Sequence, residues 1–165
     1  MKITTRTTAE AGLTFVEIML AVLLVATFFA SIFELNAVCL RYIDATKESV
    51  AALQSVHDRA EKLRNLAFTD LTSASYLQTL MATPANASDF CKKATETITV
   101  QAYPTANGAT QITRTPQGTV TRNSTAIDLG SSLVQVDVSN SWNMTLGGRA
   151  RTEQTSTIIS NGTKK

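Results

Sequence analysis

From Leu13 to Phe33 the chain runs through mostly apolar residues without glycine or proline, and one ionisable side chain, Glu17, interrupts the run. As an α-helix rising 1.5 Å per residue, such a run spans about 31 Å, the thickness of a bilayer's hydrocarbon core. Lys2 and Arg6 precede it, opposed only by Glu10, which predicts a cytoplasmic N-terminus and a remainder that crosses outward. An ionisable group inside a membrane segment is costly, so Glu17 should have a partner or a task. A Glu at headgroup depth is the plainer alternative.

A cleaved secretory signal also joins a basic start to an apolar stretch. Three features oppose it: the stretch is long for a signal, Glu17 breaks it, and Phe28 and Ala30 do not place small residues at both cleavage positions. A lipoprotein signal ending at Cys39 would need a small residue where Val38 stands.

The segment Gly12-Leu13-Thr14-Phe15-Val16-Glu17-Ile18-Met19 resembles the processing motif of type IV pilin-like proteins, the major and minor pilins and the type II secretion pseudopilins. That resemblance implies cleavage by a prepilin peptidase between Gly12 and Leu13, N-methylation of Leu13, and pairing of Glu17 with a terminal amine during assembly. It also implies, as partners, other pilin or pseudopilin subunits, an inner-membrane assembly platform and the lipid bilayer. Physical chemistry agrees: an ammonium on Leu13 and a carboxylate at i+4 share a helix face, and each is costly unpaired in low dielectric. No glycine or proline breaks the helix further on, which within the resemblance favours a minor pilin or pseudopilin.

The helical pattern continues past the apolar run. Leu35, Val38, Cys39, Tyr42, Ile43, Thr46, Val50, Leu53, Val56, Ala60, Leu63 and Ala67 follow three- and four-residue spacings. Arg41, Lys47, Glu48, Asp58, Arg59 and Arg64 fall largely elsewhere, as expected of a solvated face. One helix from Leu13 to about Leu66 is therefore predicted, with this apolar stripe turned to a small domain.

Beyond Thr69 the chain becomes rich in Thr, Ser, Asn, Gln and Gly. Tyr76, Leu77, Leu80 and Met81 predict a short helix ending before Pro84. Alternation around Ile98, Val100 and Ala102 predicts a strand, with shorter ones near Ile112 and Val120 about the turn Pro116-Gln117-Gly118. The longest alternation sets Val134, Val136, Val138, Trp142 and Met144 against Gln135, Asp137, Ser139 and Asn143. Gly147-Gly148 then turns into a strand from about Arg149 to Ile159. The hairpin loosely resembles the terminal hairpin of the minor pilin and pseudopilin branch that includes the type II secretion I component.

Four segments follow: a leader (1–12), a transmembrane or filament-core helix (13–35), its extracytoplasmic amphipathic half (36–68), and a polar head with a short helix and antiparallel sheet (69–165). The predicted fold class is α+β and pilin-like. A net charge of +2 without a basic tract gives no reason to expect nucleic acid, and Arg114, Arg122, Arg149 and Arg151 read as solvated strand positions. Cys39 and Cys91 are a candidate disulfide pair outside the cytoplasm, with buried thiols as the alternative. The sole histidine, His57, lacks companions for a metal site and reads as solvated. Neither a phosphate loop nor a nucleophile elbow is present, so no cofactor or catalysis is expected. The functional expectation is a filament subunit of the bacterial inner membrane with a periplasmic head. The alternative is a signal-anchored binding domain that does not polymerise.

Overall fold

The computed structural model describes residues 14–130 and 132–162. The chain divides into two compact units that meet between Leu40 and Arg41. Helix α1, Phe15–Arg64, supplies the first unit and begins the second. Its span agrees with the prediction to within two residues at each end.

In the first unit no described residue is buried, and apolar side chains lie on every side of the helix. A helix apolar all round and unburied within its own chain has the character of a membrane span. It is also the one helix among the described residues long and apolar enough to cross a bilayer. Its hydroxyls are satisfied locally. Thr27 Oγ1 donates to the carbonyls of Leu23 and Leu24 at 3.0 and 2.9 Å, and Ser31 Oγ donates to that of Thr27 at 2.9 Å. These bonds remove the cost of carrying free O–H groups into hydrocarbon.

The second unit joins residues 41–64 of α1 to α2 (Phe68–Leu71), α3 (Ala74–Met81), a 3-10 turn at Asp89–Lys92 and five strands. These are β1 (Thr95–Ala102), β2 (Ala109–Arg114), β3 (Val120–Ser124), β4 (Leu133–Asn143) and β5 (Ala150–Ser160). Every pairing is antiparallel, in the order β3-β2-β1-β4-β5. The Ser73 hydroxyl caps α3 by accepting the amide of Tyr76 at 3.4 Å. Gly118, at φ 88°, occupies the left-handed region that closes the β2–β3 turn. Between β4 and β5, Gly147 and Gly148 do the same at φ 75° and 63°.

The inner sheet face contributes Ile98, Val100, Ile112, Val134, Val136 and Val138 to the core, joined by Val56, Ala60 and Leu63 of α1 and by Leu71, Leu77 and Met81. Fully burying a side chain of this size stabilises the fold by about 1.5–3 kcal/mol. A smaller cluster holds Ala52, Phe90, Ala94 and Trp142, with the Phe90 and Trp142 rings edge to face at 5.2 Å. The outer face is almost uncharged. One row across the sheet reads Thr121, Thr113, Thr97, Ser139 and Gln154, and the hydroxyls of Thr97 and Thr113 lie 3.2 Å apart.

The structure corrects the predicted face of α1. Its buried side is Ala45, Glu48, Ala52, Ser55, Val56, Arg59, Ala60 and Leu63. Only the last part of the predicted stripe, Val56, Ala60 and Leu63, turns inward. Tyr42, Ile43, Val50 and Leu53 remain 60, 50, 50 and 48% exposed. The helix buries small residues and two charges while leaving larger apolar side chains outside, because each buried charge has a dedicated partner in the head.

Candidate functional site

Glu17 lies in the first turn of α1, and its surroundings are local. Its carboxylate accepts from the Thr14 amide at 3.3 Å, while its own amide donates to Thr14 Oγ1 at 3.3 Å. This reciprocal pair is a capping box, which satisfies two amides that a helix start leaves without partners. The spacing Thr14-x-x-Glu17 carries that signal in the sequence. Gly12 and Leu13, the predicted processing residues, lie outside the described residues, as do Lys2, Arg6 and Glu10.

In the second unit, two charges predicted to be solvated are buried. Arg59 is fully enclosed: its Nε and Nη2 donate to the two Glu96 oxygens at 2.6 and 3.0 Å. Its Nη1 reaches the Leu80 carbonyl at 3.2 Å, and Nη2 also reaches that of Thr83 at 2.7 Å. The bidentate fork and both carbonyls together fasten α1 to β1 and to the end of α3. Such a pair costs desolvation to form, so its net contribution is small while the loss of one member is severe.

Glu48 holds α1 to the β4–β5 loop. One oxygen accepts the Thr145 amide at 3.0 Å; the other accepts the Thr145 hydroxyl in a short bond and the Lys93 ammonium at 3.1 Å. Burial opposes ionisation of Glu48, but the Thr145 hydroxyl and amide and Lys93 together outweigh it and hold the carboxyl below its ordinary range. Arg114 also turns inward, where its Nη1 donates to the Cys91 carbonyl at 3.3 Å. Arg122, Arg149 and Arg151 are exposed as predicted.

Cys39 and Cys91 are both free thiols, the first exposed and the second buried. Cys91 Sγ lies among the Ser55 and Ser88 hydroxyls, each at 3.8 Å, and Asn86 Oδ1 at 3.5 Å. His57 is exposed. Among the described residues no group of three His, Cys, Asp or Glu side chains could hold a metal ion.

The described surface thus offers an apolar helix whose residues 15–40 are bare, and an apolar stripe on residues 42–53 of the second unit. Both are features of association with lipid or protein. No protein-family model, curated protein or solved structure matches this chain.

Proposed function

We propose that the chain is a prepilin-like structural subunit, a minor pilin or pseudopilin of a type IV pilus or type II secretion filament. It is inserted in the bacterial inner membrane with its head outside, cut after Gly12 by a prepilin peptidase, methylated on Leu13, and assembled through α1. The observation that carries this proposal is the bare apolar helix at whose start stands Gly12-Leu13-Thr14-Phe15-Val16-Glu17. The exposed Tyr42, Ile43, Val50 and Leu53 add support, since an apolar stripe wider than the head needs suits packing against neighbouring helices. No catalytic step is part of this role.

Mass spectrometry of the mature N-terminus from native membranes tests processing. A chain starting at Leu13, with or without one added methyl, is the expected result, and Gly12→Ala should leave the leader attached. An intact wild-type leader would remove the proposal.

The capping box favours a second reading, a signal-anchored binding domain that never polymerises, because it gives Glu17 a task within its own helix. Glu17→Gln separates the two. Glutamine also serves in a capping box but carries no charge. Pairing with a neighbour's amine predicts that Glu17→Gln subunits insert normally and fail to enter filaments; unchanged incorporation would leave Glu17 as a cap alone.

A further inference from the structure

Where residues 42–49 of α1 face the β4–β5 loop, the second unit holds an open cleft of about 570 Å³. Arg149 and Arg151 line it together with Tyr42, and Ala45, Met144 and Leu146 provide apolar wall. No acidic residue lines it. Among the described residues neither arginine forms a salt bridge, and Glu153, two residues beyond Arg151 on the same strand face, does not neutralise it. Acids on the adjoining helix are engaged elsewhere, Asp44 with Lys47 and Glu48 with Thr145 and Lys93. Arg151 spends only its Nε, on the Met144 sulfur at 3.2 Å.

Two guanidinium groups without counter-charges make a site for a phosphate, which each can grip through paired N–H donors. The cleft is far larger than a free phosphate, and its apolar wall would find nothing to cover on one. A phospholipid headgroup fits both features, with its phosphate on the arginines and its glycerol and upper acyl carbons against Met144 and Leu146. Tyr42 is an apt neighbour, since a ring with a polar tip suits a membrane–water boundary. In sequence it follows the apolar run, which ends at Phe33, by nine residues.

We propose that this cleft binds the headgroup phosphate of an anionic phospholipid. The inference rests on the apolar run of α1 lying in a bilayer and goes beyond the filament role, because it gives the head a lipid-selective contact before assembly. The full-length chain in neutral detergent would be titrated with phosphatidylglycerol and with phosphatidylcholine, and the retained lipid counted by native mass spectrometry. Retention of phosphatidylglycerol about tenfold above phosphatidylcholine is expected. The preference should vanish in an Arg149→Gln/Arg151→Gln variant and persist in Arg122→Gln, which changes an exposed arginine on β3. Equal retention of both lipids, or a preference that survives the double variant, would overturn the proposal. Complete displacement by millimolar inorganic phosphate would overturn the lipid source and assign the cleft to the free anion. Carbonate extraction of native membranes tests the bilayer premise separately: a chain released by carbonate refutes membrane insertion, whatever the detergent titration reports.

Discussion

Residues 15–40 and residues 41–162 face the same two demands, that polar groups be paired and apolar surface be covered, and answer them differently. The first unit pairs its polar groups over three or four residues, through helix hydrogen bonds, the Thr14–Glu17 box and the back-bonded Thr27 and Ser31. It covers none of its apolar surface. The second encloses its core and pairs its buried charges across long stretches of sequence, Arg59 with Glu96 and Glu48 with Thr145. One region is locally complete yet needs an outside partner. The other encloses a core of its own, leaves the stripe at residues 42–53 outside it, and depends on contacts that only the folded chain can make.

The strongest way to break this contrast is to remove a long-range partner. Arg59→Ala leaves Glu96 buried without its counter-charge and should cost the head about 3–5 kcal/mol, read as a lowered unfolding midpoint in denaturant. Replacing both members with apolar residues of similar volume, Arg59→Met with Glu96→Leu, should recover most of that loss. A double variant as unstable as the single would mean that the carbonyls of Leu80 and Thr83, rather than the ion pair, dominate.

A charge placed in the first unit tests the other side. Leu24→Arg should oppose membrane insertion by about 2.5–3.5 kcal/mol on insertion scales, seen as a smaller membrane-integrated fraction. Unfolding of the head in detergent should be unaltered. A destabilised head would show that the two regions are energetically coupled.

Glu48 provides a finer test through pH. Its native carboxyl titrates below the ordinary value of 4.5, so below that value the unfolded chain binds the proton first. The stabilisation is therefore complete above pH 4.5 and is lost as pH falls through the lowered native value. Glu48→Gln should lower stability by about 1.5–3 kcal/mol near neutrality and flatten the acid limb of the thermal unfolding profile. A wild-type acid limb unchanged in the variant would assign that limb to other carboxylates. The smallest effect is expected at the exposed Arg64–Glu61 pair, where Arg64→Ala should change stability by less than about 1 kcal/mol. A larger loss would reveal a packing role for the Arg64 stem.

What the sequence discloses follows the same division. Strict alternation reveals β4, and its partner β5 follows from Gly147-Gly148, because a strand with one buried face writes its environment every second residue. The extent of α1 is equally plain from its unbroken periodicity. The inward turn of Glu48, Arg59 and Arg114 is not, since their partners lie far along the chain or are backbone carbonyls that no sequence pattern marks. For the same reason the larger apolar residues Tyr42, Ile43, Val50 and Leu53 misidentify the buried side of the helix, which packs Ala45, Ala52 and Ser55 instead. The proposed processing residues Gly12 and Leu13 are legible only through resemblance. The arginine-lined cleft is invisible in sequence, because it brings Tyr42 to residues more than a hundred positions away.

The bond between Glu48 and Thr145 also sets an order of events. The two residues are separated by 97 positions, so a chain emerging N-terminus first presents the carboxylate long before its principal partner. Until residue 145 arrives, only Lys93 can answer that charge, and the β4–β5 turn has not yet formed. The clasp therefore closes late: in a chain shortened before Thr145, Glu48 is left with Lys93 alone to answer its charge.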